Sequence, residues 1–196
     1  MKGWDEGVPY HRLFPSSSRN PAEAIIGGSP LLVHTIVVAL GLVLLQRPWM
    51  TRNKWLFHTL YWFVIVNFME LIGYIVMGSF ASGGDTGHFN HGLGLSPWIL
   101  FVAGTLVITI GLYVLFSRIL PLMDDVIARG NHLSHWAILL MTAFILFLWG
   151  SGLEAMSLYP DPQWMFGLLG VAAFGVVLLT CNPNRNASRQ RVGRSK

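Results

Sequence analysis

The side chains best suited to chemistry lie in one stretch, Gly83-Gly-Asp-Thr-Gly-His-Phe-Asn-His91, where Asp85, His88 and His91 supply a carboxylate and two imidazoles. These ligand types suit zinc, copper or iron, so the stretch is a candidate site for a transition metal ion. The glycines give a competing reading, a loop whose turns need positive φ. Three ligands also fall one short of a closed structural site. His34 or Glu70 would complete the set only if such a loop folded back against the helices.

Glu70 stands out for its surroundings, an apolar run from Trp55 to Phe80. It lies about 15 Å from the end of that run at a helical rise of 1.5 Å per residue. Asn67 precedes it by three positions and Tyr74 follows by four, so the three share a helix face and can bond to one another or to a neighbouring helix. Burying a carboxylate at mid-membrane costs about 2.5 to 3.5 kcal/mol, which makes function the default expectation. A protonated Glu70 that merely joins two helices by a hydrogen bond is weighed equally. Glu154 and His34, each close to the end of an apolar run, complete the intramembrane polar set. Glu154 is near enough to the interface to reach water.

These residues need a scaffold, and composition names it. Hydrophobic residues form 53% of the 196 positions and charged residues 11%, against about a quarter charged in a soluble domain. The expected fold is all-α, a polytopic transmembrane helical bundle of about five spans, at residues 30–46, 55–80, 98–116, 136–158 and 164–181. Four of these begin with a tryptophan, which suits the membrane interface. Gly104 and Gly111, then Gly167 and Gly170, allow close helix approach. Residues 1–24 read as a polar arm, 25–181 as the membrane domain and 182–196 as a basic tail.

Charge sets the expected orientation. Arg47, Arg52 and Lys54 lie in the first connection, Arg118 and Arg129 in the third, and Arg185, Arg189, Arg191, Arg194 and Lys196 in the tail. The second and fourth connections hold no Lys or Arg, so the basic connections and the C-terminus are expected in the cytoplasm. The tail then faces lipid headgroups, and no nucleic-acid module is expected. His132 and His135 read as surface groups beside the fourth span, and Asp124 and Asp125 as a solvated turn. Cys181 has no partner for a disulfide. The patterns HExxH, GxSxG and Cys-x-x-Cys are absent from the sequence, as is a phosphate-binding glycine loop.

One segment resembles a known family. The run Asn67-Phe-Met-Glu-Leu-Ile-Gly73-Tyr74, followed by Gly84-Asp85, is similar to the part of bacterial site-2-protease-like intramembrane metalloproteases that lies outside their zinc-binding HExxH helix. The resemblance covers roughly residues 27–116. It implies a relative that lacks the hydrolytic centre, with Thr86 where the family usually has tryptophan, and a bacterial cytoplasmic membrane as location. The expected function is a non-catalytic membrane subunit or scaffold of a larger complex, in contact with lipid and other membrane subunits. The alternatives are a metal- or proton-handling component built on the Glu, Asp and His cluster, or a degenerate protease relative.

Overall fold

The computed structural model describes residues 20–81, 84–153 and 164–181, which form a helical bundle. Helix α1 spans Pro21–Leu45. Asn20 caps it by accepting the N–H groups of Ala22 and Glu23 at 3.2 and 3.4 Å, and Pro21 occupies a first-turn position where no N–H is needed. The helix therefore starts well before Pro30, the expected beginning of the first span, and residues 21–24 of the expected arm are its first turn. Pro30 does not end it. The Ser29 hydroxyl donates to the Ile26 carbonyl at 2.8 Å, the acceptor that Pro30 cannot serve for want of an N–H.

A short helix α2, Pro48–Arg52, turns the chain. Asn53 accepts the Leu56 N–H at 3.1 Å and starts α3, Lys54–Phe80, which matches the second expected span. Its last turns change pitch, π-helical over Gly73–Met77 and 3-10 over Gly78–Phe80. The stretch expected as a loop is a helix, α4, Gly84–Leu93. Positive φ is used at Gly84 (73°) and at Gly94 (64°), the ends of that segment, whereas Gly87 and Gly92 are helical.

Helix α5, Pro97–Ala128, outruns the third expected span. Pro121 removes the N–H that would reach the Ser117 carbonyl, and the helix widens into π turns at Leu115–Ile119 and Asp124–Ala128 instead of ending. Arg129 and Gly130 then take left-handed backbone with φ of 50° and 76°. Asn131 accepts the Leu133 N–H at 3.0 Å and starts α6, His132–Ala143, which continues as a wide helix over Phe144–Leu153. Helix α7, Trp164–Thr180, completes the described chain.

Among the described residues, four helices are long and apolar enough to cross a membrane: α1, α3, α5 and α6 with its continuation. The 17 residues of α7 are apolar and sit at the lower limit of about 17 for a span. The chain is thus a multi-pass helical membrane bundle. Its core includes Leu45, Phe57, Tyr61, Leu115, Ile119 and Leu139, all wholly buried. Gly104 lies against Ile75 and Gly111 against Phe68, so the small residues of α5 let it approach α3 closely. Ile25, Leu32, Val102, Leu106 and Ile110 face outward, the arrangement that lipid as solvent requires.

Candidate functional site

Helix α4 is pressed against the first turns of α1 by backbone contact, the most extensive helix pairing among the described residues. A Cβ at Gly92 would lie 2.5 Å from the Ala24 nitrogen and 2.7 Å from the Asn20 carbonyl oxygen, and one at Gly27 would meet the Phe89 nitrogen at 2.7 Å. The Asn20 N–H donates to the Gly92 carbonyl at 3.0 Å. This proximity brings Glu23 to both histidines of α4: one carboxylate oxygen accepts from His88 Nδ1 at 2.8 Å and the other pairs with His91 Nδ1 at 3.2 Å. Glu23 is 14% exposed and His91 64%, so the pair nearer the core is Glu23 with His88.

The helix also explains why Asp85, His88 and His91 do not share a centre. Each step of three residues rotates the side chain back by about 60°, so Asp85 and His91 point about 120° apart. His88 and His91 turn to α1, while Asp85 turns to a cleft between α3, α4 and the wide part of α6. Among the described residues no three His, Cys, Asp or Glu side chains converge where they could hold a metal ion.

The cleft has a volume of about 340 Å³. Glu70, Tyr74, Asp85, Thr86 and Trp149 line it, with Met69, Met77 and several glycines. Two features of the sequence open it. Gly73 and Gly150 bring α3 and α6 together, since a Cβ on Gly73 would lie 3.1 Å from the Gly150 carbonyl oxygen. Both helices are π-wound there, which widens the spacing of the side chains beside the contact. Glu70 is exposed to the cleft and Asp85 is half-buried in it. Among the described residues neither carboxylate has a hydrogen-bond partner.

Asn67 and Tyr74 are committed elsewhere. Asn67 Oδ1 pairs with His34 Nδ1 at 2.9 Å, its amide donates to the Phe63 carbonyl at 2.7 Å, and the His34 ring lies 5.8 Å from that of Tyr74. Because α1 begins at Pro21, His34 lies about 20 Å along it, deeper than its place near the start of a span implied. The polar face of α3 therefore joins α3 to α1 through Asn67 and leaves Glu70 facing the cleft. Glu154 and the basic residues Arg185, Arg189, Arg191, Arg194 and Lys196 lie outside the described residues.

At the opposite end, His135 Nδ1 pairs with Asp124 at 2.7 Å, and the His135 side chain is only 13% exposed. The expected surface role does not fit it: the π turn at Asp124–Ala128 brings Asp124 against the first turn of α6. A second, apolar groove of about 670 Å³ runs between α1 and α5. Ser29 and Thr35 line it, but both hydroxyls are bonded to their own helix backbone.

Sequence reading missed Glu23, leaving it inside the polar arm of residues 1–24. The pattern Asn20-Pro-Ala-Glu23 is a helix-start signature, with an N-cap residue followed three positions later by glutamate, and would have placed Glu23 in a first turn. Its histidine partners lie on a separate element, and no local pattern names them. Comparison of the chain with family models, with curated proteins and with solved structures finds no match to any of them.

Proposed function

We propose that this chain is a non-catalytic membrane component that binds and releases protons at Glu70 and Asp85, and that it works as a subunit of a larger membrane assembly. The observation that carries the reading is the cleft: two carboxylates from different helices line one polar recess of a membrane bundle, and among the described residues neither is hydrogen-bonded to a neighbouring helix. A glutamate serving only as helix glue would be hydrogen-bonded to a neighbour, as Asn67 is to His34. Ionisable groups that line such a recess without a partner among the described residues fit proton handling. The loop charges favour placing the cleft at the outer face and the basic tail in the cytoplasm.

Infrared difference spectra of the reconstituted protein, taken through an acid-to-alkaline titration, test this. Carboxylic-acid bands should appear on acidification, one lost in Glu70→Gln and one in Asp85→Asn. Spectra unchanged by both substitutions would sink the reading. For the subunit role, gentle detergent extraction should recover the chain with other polypeptides.

A second reading is favoured by one observation. Gly73, Tyr74, Gly84 and Asp85, four of the residues that carry the resemblance to site-2-protease-like metalloproteases, all line this cleft. On that reading the cleft descends from a protease site and binds a transition metal ion through Asp85. Metal content of the purified protein, compared between wild type and Asp85→Asn, separates the two: a stoichiometric metal lost in the variant supports descent, and its absence in wild type rejects metal binding.

A further inference from the structure

We infer that Glu23 is a positioning residue for the cleft: by holding His88 and His91 it fixes α4 on α1 and so fixes where Asp85 stands relative to Glu70. The inference rests on the proton-handling reading for its functional meaning, but its structural content stands independently.

Asp85 occupies the first turn of α4, and that helix has no covalent brace of its own. Gly84 and Gly94 bound it with positive φ, so its direction is set by what it touches. Against α3 it has small contacts: the Asn90 amide donates to the Ser79 carbonyl at 3.0 Å, and Thr86 lies on Gly78. Against α1 it has the glycine contacts, with the Phe89 ring over Gly28, one backbone bond from Asn20 to Gly92 at its far end, and two bonds to one carboxylate. The Gly27 and Gly92 contacts are to backbone and permit approach without resisting sliding, and the backbone bond at Gly92 and the Phe89 ring each hold α4 at a single point. The Glu23 carboxylate does resist it, because its two oxygens are held by histidines one helical turn apart, at 2.8 and 3.2 Å. A shift along α4 or a roll about its axis breaks at least one of these bonds. Bonds to a charged group are roughly twice as strong as neutral ones, so they are the stiffest part of the contact.

Glutamine at this position keeps one oxygen for His88 and offers its amide to His91 Nδ1, which can accept in its other tautomer. Alanine offers neither. The two substitutions therefore separate retention of the clamp from its loss, and methionine, which keeps the length of the side chain but offers neither bond, should behave as alanine does if the bonds and not the filled space hold α4.

The test uses the full chain with Cys181→Ser and a single reporter, Thr86→Cys, next to Asp85. Thr86 is only 2% exposed, so a water-soluble maleimide should label the reporter slowly when α4 is seated. Labelling should stay slow with Glu23→Gln and become at least about ten-fold faster with Glu23→Ala, since ten-fold is the scale of losing one hydrogen bond to a charged group and this change removes two. In the Thr86 background without the reporter, Glu23→Ala should shift the Asp85 acid band while leaving the Glu70 band in place, because Glu70 sits on α3. Should Glu23→Ala fail to fold, His88→Ala and His91→Ala singly carry the same test. Slow labelling in Glu23→Ala, or in both histidine variants, overturns the inference. Fast labelling without any titrating acid band supports the positioning role and rejects proton handling.

Discussion

The two ends of the bundle are built on different principles. At the end holding Phe57, Tyr61, Leu115, Ile119 and Leu139, large side chains are wholly buried, and the Tyr61 hydroxyl meets Thr142 Oγ1 at 2.6 Å within that core. At the α4 end, contact is made by glycines, by one carboxylate shared between two histidines, and by a cleft whose acids have no partner among the described residues. Interlocked side chains hold one conformation, whereas backbone contacts and polar groups leave room for water, protons and motion. The difference places interlocked packing at one end and the unpaired carboxylates of the described residues at the other.

The sharpest break of this contrast is a pair of truncations. Phe57→Ala should destabilise the bundle by about 3 kcal/mol, the low end for a buried phenylalanine because lipid replaces water as the competing solvent. Phe89→Ala on half-buried α4 should cost clearly less. Unfolding of the two variants in bilayer-like detergent decides it, and equal losses would erase the distinction.

Next comes a test of glycine contact. Gly92→Ala places a methyl group against the backbone of α1 and should cost about 1 to 3 kcal/mol, displacing α4 in preference to unfolding the bundle. Gly175→Ala on α7, where a Cβ meets nothing within 4 Å, should be close to neutral. Thr86→Cys labelling distinguishes local displacement from global loss.

Smaller still, Tyr61→Phe should cost about 0.6 kcal/mol and no more than about 1.7, the range for a hydrogen bond within a membrane protein. The same unfolding assay reads it. Glu70→Gln should change stability least of all, since no hydrogen bond among the described residues is lost. A stability loss at Glu70 equal to that at Tyr61 would return Glu70 to the role of helix glue.

Much of the fold is legible in the amino-acid sequence. Alternating apolar runs and polar connections specify membrane helices because lipid offers backbone groups no hydrogen-bond partner, and Glu70 is conspicuous for the same reason. The α3 boundaries follow directly, Trp55 to Phe80 expected and Lys54–Phe80 found. The early start of α1 is written locally in Asn20, Pro21 and Glu23 but hidden by Pro30, whose lost bond is replaced by the Ser29 hydroxyl. The glycines at 83, 84 and 87 suggest a loop because glycine takes the positive φ of turns and costs a helix about 1 kcal/mol against alanine. Packing on α1 overrides that preference.

What the sequence by itself determined was therefore the membrane bundle, the helix that carries Glu70, and the set of side chains able to do chemistry. Which of those side chains meet was decided by tertiary structure alone. Glu23 lies more than sixty positions from its histidines and His34 more than thirty from Asn67, distances no periodicity spans. Asp85 parted from His88 and His91 only because their segment became a helix. Once glycines brought α4 onto α1, the helical pitch sent one face to the clamp and the other to the cleft.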